Sequence, residues 1–123
     1  MSKKLTLLLG ATDNRSKYSF VAADFLTKAQ IPFIPISIHK GEVLGNKILD
    51  LQEKPLLEGV HTITVYLNKY HQKEWEEYLL SLNPKRIIFN PGAENNSFAM
   101  KANQMGIEVL NDCTLVMIKT GQY

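Results

Sequence analysis

Leu7-Leu8-Leu9 runs without a polar interruption into Gly10, and a helical pattern opens shortly afterwards near Ser19. A strand that is apolar at consecutive positions has no face left for water, so it must lie between two covering layers. A parallel sheet with helices on both sides supplies them. Gly10 permits a tight turn without a Cβ in the way. The connection Ala11-Thr12-Asp13-Asn14-Arg15-Ser16-Lys17-Tyr18 is small and polar, and Phe20, Val21, Phe25 and Leu26 then recur at helical spacing. A loop entering a helix N-terminus presents unpaired backbone N–H groups, and the helix dipole favours an anion there. Arg15 and Lys17 add positive charge. Two readings stay open on this loop alone: a phosphate site, or a turn that simply closes a βα unit. A G-x-G-x-x-G motif would need glycines where Thr12 and Arg15 stand, and no Gly-Lys-Ser/Thr ending is present.

The rest of the chain alternates strands and helices. Phe33 to Ile38 reads as a second strand, and Pro32 and Pro35 place part of it near a sheet edge. His39 to Gly45 reads as a loop, and Ile48 to Leu57 as irregular with a helical turn around Leu49–Glu53. Thr62 to Leu67 is rich in β-branched residues and forms the third strand. Asn68 caps a helix that ends before Asn83-Pro84. Its stripe of Trp75, Tyr78, Leu79 and Leu82 belongs to the core, with Lys73, Glu74, Glu76 and Glu77 outside. Arg86 to Asn90 is the fourth strand, turned by Pro91-Gly92. Phe98, Ala102 and Met105 face a last amphipathic helix inward, with Gly106 at its C′ position. Ile107 to Leu110 is the fifth strand, and Asp112 to Ile118 suits a short closing helix.

This pattern predicts an α/β fold: one Rossmann-like domain over residues 1–123, doubly wound around a mainly parallel five-stranded sheet in the order 3-2-1-4-5. Ligands of such folds sit above the strand ends where the order reverses. That places Gly10 to Ser19 and Asn90-Pro91-Gly92 around one crevice.

Composition narrows the function. Fourteen basic against twelve acidic residues in 123 leave a charge of +2, too balanced for a dedicated nucleic-acid binder. No apolar run approaches a membrane span, and Lys3-Lys4 leads into a short strand instead of a signal sequence, so a cytoplasmic protein is expected. Cys113 is the single cysteine, and His39, His61 and His71 lack metal-ligand spacing.

The opening "LLLGATDNRSKYSFVAADFL" resembles the G-A-S-x-N-x-x-R/K-x-S loop and first helix of the small stand-alone CoA-binding proteins. Their fold is similar to the CoA-binding domain of succinyl-CoA synthetase α subunits. Gly10, Ala11, Thr12, Asn14, Lys17 and Ser19 fall on that pattern. "PISIHKGEVLG" resembles the segment after the second strand, with Lys40, Leu44 and Gly45. "VHTITVYLN" is similar to the family's third strand, with His61 in place of its acid, and "PKRIIFNPGAEN" to its fourth, with Gly92 and Glu94. Arg15 stands where many relatives have proline, and Cys113-Thr114 where they have Cys-Pro.

The resemblance implies coenzyme A or an acyl-CoA as ligand. Ala11, Thr12 and Asn14 would lie under the diphosphate, Lys17 and Ser19 on its oxygens, and Lys40 on a phosphate or ribose. Tyr66 and Leu67 would face the adenine or the pantetheine arm, and Asn90, Pro91 and Gly92 would run toward the thiol. Cys113 reads as a small buried hydrophobe. No Ser-His-Asp set, paired-carboxylate motif or metal cluster is visible, so binding without catalysis is expected, with no protein partner named. Two alternatives stay open: a small NAD(P)- or nucleotide-dependent enzyme, and an interaction module with a vestigial nucleotide pocket. Against NAD, Ser37-Ile38-His39-Lys40 stands where a ribose-binding acid belongs.

Overall fold

The computed structural model describes residues 4–123, and Lys3 lies outside them. β1 (Thr6–Leu9) is buried along its whole length, as its unbroken apolar run requires. Leu7 and Leu9 enter one core and Leu8 the other, so the two faces of the sheet are covered separately.

The strands that follow are β2 (Phe33–Ser37), the short β3 (Glu42–Val43), β4 (Asn46–Lys47) and β5 (Leu49–Asp50), then β6 (Thr62–Val65), β7 (Arg86–Phe89) and β8 (Glu108–Asn111). Six of them form a sheet in the order β5-β2-β1-β6-β7-β8, parallel at every pairing. β3 and β4 form a separate antiparallel hairpin. The helices are α1 (Tyr18–Lys28), α2 (Lys69–Gln72), α3 (Glu76–Ser81), α4 (Asn96–Gln104) and α5 (Thr114–Lys119). Ala22 and Ala23 of α1 pack on the Leu8 face. Tyr78 and Leu79 of α3 and Phe98 and Ala102 of α4 pack on the Leu7 and Leu9 face, where the Phe98 ring meets Phe89 edge-on at 5.5 Å.

The doubly wound parallel class expected from the sequence is therefore present, with one more strand. Counted along the chain with β3 and β4 set aside, the order runs 3-2-1-4-5-6. The residues filling the third place differ from the expectation: the two-residue β5 takes it, while Thr62–Val65 pairs with β1. Leu49-Asp50 is too short to carry a periodic signal, so the sequence reads it as irregular. The helical turn expected there begins just after it, as a 3₁₀ turn at Leu51–Glu53. Because β5 pairs only with Ile36 and Ser37, the stretch holding Pro35 has no outer neighbour, which accommodates its missing N–H.

The helix expected from Asn68 to Asn83 is broken. A 3₁₀ turn at Lys73–Trp75 separates α2 from α3. The tighter winding alters the rotation from residue to residue, and Glu76, placed on the outer face by simple periodicity, turns inward. It is 5% exposed, its carboxylate 3.0 Å from Lys101 Nζ. Met105 also departs from its expected inward position: it caps the C-terminus of α4 and is half exposed, followed by Gly106 at φ +80. Cys113 is partly buried at the N-cap of α5.

Candidate functional site

Above the carboxyl ends of the central strands lies a cleft of about 540 Å³. β1 and β6 are neighbours whose connections leave in opposite directions, so their end-loops part and open this space. Gly10 sits at its base with φ +91, and a Cβ there would come within 3.1 Å of the Tyr66 backbone. Glycine thus permits both the turn and the close approach of the β6 end.

One wall is the loop into α1. The Thr12 hydroxyl accepts from the Asn14 N–H, and Asn14 Oδ1 accepts from the Ser16 N–H at 3.0 Å and from its hydroxyl at 2.7 Å. These local bonds shape the loop. No side chain caps α1, and Phe20 and Val21 both donate to the Lys17 carbonyl. The amides of Tyr18 and Ser19 remain as open donors among the described residues. Lys17, Tyr18 and Ser19 all line the cleft.

The opposite wall comes from the turns after β6 and β7 and from α2. Asn68 caps α2 by accepting from the Tyr70 and His71 N–H groups. Leu67, His71, Trp75, Gly92 and Ala93 line this side. Trp75 therefore belongs both to the core and to the cleft wall. At the end of β2, Ser37, Ile38 and His39 close the cleft, with the His39 N–H donating to the Ser37 hydroxyl. Glu74 is the sole carboxylate in the lining, beside Lys17, His39 and His71.

Of the residues singled out from the sequence, Gly10, Ala11, Thr12, Lys17 and Ser19 come together here, as do Tyr66, Leu67, Pro91 and Gly92. Asn14, Lys40 and Asn90 do not line the cleft. Asn14 shapes the loop from outside, and Lys40 is exposed one residue beyond His39. Asn90 is turned into the core, where Nδ2 donates to Thr64 Oγ1 at 2.8 Å and to the Val65 carbonyl at 2.9 Å. The Tyr66 hydroxyl is also buried, with no hydrogen-bond partner among the described residues. Burial first, and then the nearby Cys113, hold its pKa well above the ordinary phenol value, so the group stays neutral. His71, Glu74 and Ala93 were not singled out from the sequence, and Ser37–His39 entered it only as the place where a ribose-binding acid is missing. Only the placing of the β7 turn, α2 and the 3₁₀ turn after it around the β1 end brings them to the cleft.

The sequence matches the family described as CoA binding domain over residues 4–119. The chain belongs to that family. It is also similar to a crystal structure of an uncharacterized protein, with 44% identity over 100% of both chains and a TM-score of 0.95. A hypothetical protein from Pyrococcus horikoshii OT3 is 19% identical, over 96% of this chain and 82% of that one, with a TM-score of 0.82. A Thermus thermophilus protein is 19% identical over 98% and 91%, with a TM-score of 0.85. The last two similarities concern the fold alone. A comparison with curated proteins gives no match. Among the described residues no helix is long and apolar enough to cross a membrane, and no group of acidic, histidine and cysteine side chains could hold a metal.

Proposed function

We propose that the protein binds coenzyme A or an acyl-CoA in this cleft, through its diphosphate at the β1–α1 junction and without catalysis of its own. The observation that carries the reading is the uncapped start of α1, where the Tyr18 and Ser19 amides and Lys17 meet at one end of the cleft. Backbone donors, a helix dipole and a mobile ammonium suit a diphosphate. Family membership supports CoA as the molecule that carries it.

In this reading Gly10, Ala11 and Thr12 lie beneath the diphosphate. Tyr18 and Ile38, large apolar side chains exposed at the rim, offer surface for the adenine ring. The pantetheine arm runs past Leu67 toward Pro91 and Gly92. The end of β2 offers His39 and no carboxylate to the cleft, which suits a phosphorylated ribose better than the free hydroxyls of NAD.

Calorimetry with CoA, dephospho-CoA and NAD tests the proposal. CoA should bind most tightly, dephospho-CoA several-fold more weakly, and NAD weakest. Preference for NAD would replace this reading with that of a small nucleotide-dependent enzyme. Binding of none would leave an interaction module with an unused pocket.

A further inference from the structure

Gln72 is completely buried on the hidden side of the cleft wall, and its side chain holds two of the cleft's loops at once. Nε2 donates to the Leu67 carbonyl at 2.8 Å and to the Ala93 carbonyl at 2.7 Å. Leu67 is in the turn after β6 and Ala93 in the turn after β7, and both line the cleft, whereas Gln72 does not. Oε1 accepts from Asn95 Nδ2 at 2.9 Å. Asn95 is itself fixed. Its Oδ1 accepts from the Phe98 N–H and caps α4, and its Nδ2 also reaches Glu76 Oε2 at 3.3 Å. Lys101 holds the other oxygen of Glu76. Backbone carbonyls of separate turns have no direct way to bond each other, since both are acceptors. A primary amide with its two N–H donors joins them, and its oxygen answers a third group.

We propose that Gln72 is the positioning residue that sets the spacing between the β6 and β7 turns, and with it the shape of the cleft wall opposite α1. The bonded amide fixes this wall before a ligand arrives, so the ligand need not order it. The chemistry is specific to an amide. A carboxylate at the same place would set one oxygen against both carbonyls, and even protonated it offers one hydrogen for two acceptors, while an apolar side chain of similar length would leave them unpaired.

Gln72→Glu and Gln72→Met test this by hydrogen exchange, without any ligand. Amides of residues 66–71 and 92–95 should exchange at least tenfold faster in both variants at neutral pH, while those of β1 and β2 keep their protection. Unchanged exchange in the two turns, or an equal rise across the whole sheet, would overturn the proposal. Gln72→Asn, too short to span both carbonyls, is the fallback if the other two fail to fold, with the same expectation. A second arm rests on the CoA reading above. Affinities of the variants are measured for CoA and for its two halves, adenosine 3′,5′-bisphosphate and phosphopantetheine. CoA and the half lying against Leu67 and Ala93 should weaken about tenfold or more, while the other half stays within about twofold. Equal losses for both halves, or none, would remove Gln72 from the shaping of the site. If the unaltered protein binds no CoA, the ligand reading fails, and the exchange experiment still decides the clamp.

Discussion

The Oδ1 of Asn90 accepts the backbone N–H of Thr114 at 2.8 Å, tying the end of β7 to the start of α5. With the two bonds from Nδ2 to Thr64 and Val65, the side chain joins β6, β7 and α5 below the cleft. Thr114 adds a hydroxyl contact to Thr64 at 2.7 Å, so the four groups form one buried network. Asn90→Ala should therefore lower unfolding stability by about 2–3 kcal/mol, because buried partners are left unpaired. Urea denaturation measures this, and a loss below about 0.5 kcal/mol would show that the network carries no stability.

At Gly10 two obstacles meet a side chain: a left-handed φ of +91 and a Tyr66 backbone carbon 3.1 Å from the added Cβ. Backbone cannot swing aside as a flexible side chain can. Gly10→Ala should destabilise by about 1–3 kcal/mol, the scale of local strain plus crowding. A melting temperature equal to that of the unaltered protein would contradict it.

Lys17 lines the cleft and Lys40 does not. Lys17→Ala should weaken CoA and dephospho-CoA alike by about 1–3 kcal/mol, the scale of a hydrogen bond to a charged group. The preference for the 3′-phosphate should instead depend on His39, and should survive Lys40→Ala. Titration of both ligands into Lys17→Ala, His39→Ala and Lys40→Ala separates these roles. Loss of the preference in Lys40→Ala would return that role to the lysine.

His61 should make the fold less stable in acid. Burial, followed by the charges of Arg86, Lys4 and Lys85, holds its pKa below the ordinary 6.5, against a smaller opposing pull from Glu108. Geometry agrees. Arg86 Nε donates to Thr62 Oγ1 at 2.7 Å, and His61 Nδ1 lies 2.8 Å from the same hydroxyl, which sets the guanidinium charge close to the imidazole. The unfolded chain takes up its proton near pH 6.5 and the folded chain only at lower pH. The unfolded state thus binds more protons across that interval, and stability falls as pH drops through it. Chemical denaturation of the unaltered protein and His61→Gln between pH 8 and 5 should show the gap between them changing in favour of the variant as pH falls. A constant gap would mean that His61 titrates alike in both states.

The local elements were legible because each leaves its period in the chain. The unbroken run at Leu7–Leu9 requires cover on both faces, and the spacing of Trp75, Tyr78 and Leu79 marks a buried helical stripe. Gly10 and Lys17 could be tied to one loop because they are close in sequence. Other features depend on which distant strands become neighbours. Leu49-Asp50 has no pattern of its own and becomes a strand only because β2 offers it an edge. β6 beside β1 brings Tyr66 to Gly10, and the return of α5 under β7 draws Asn90 inward, away from the cleft its position suggested. Gln72 and Glu76 are polar residues on a helix, and periodicity alone assigns such residues to water. Their burial is repaid by partners at positions 67, 93, 95 and 101, which only the folded arrangement brings within reach. The sequence by itself determined the layers and the loop from Gly10 into α1, since both arise from contacts within a short stretch of chain. Tertiary structure decided the sheet neighbours and the opposite wall, because hydrogen bonds between remote segments exist only after the chain has closed on itself.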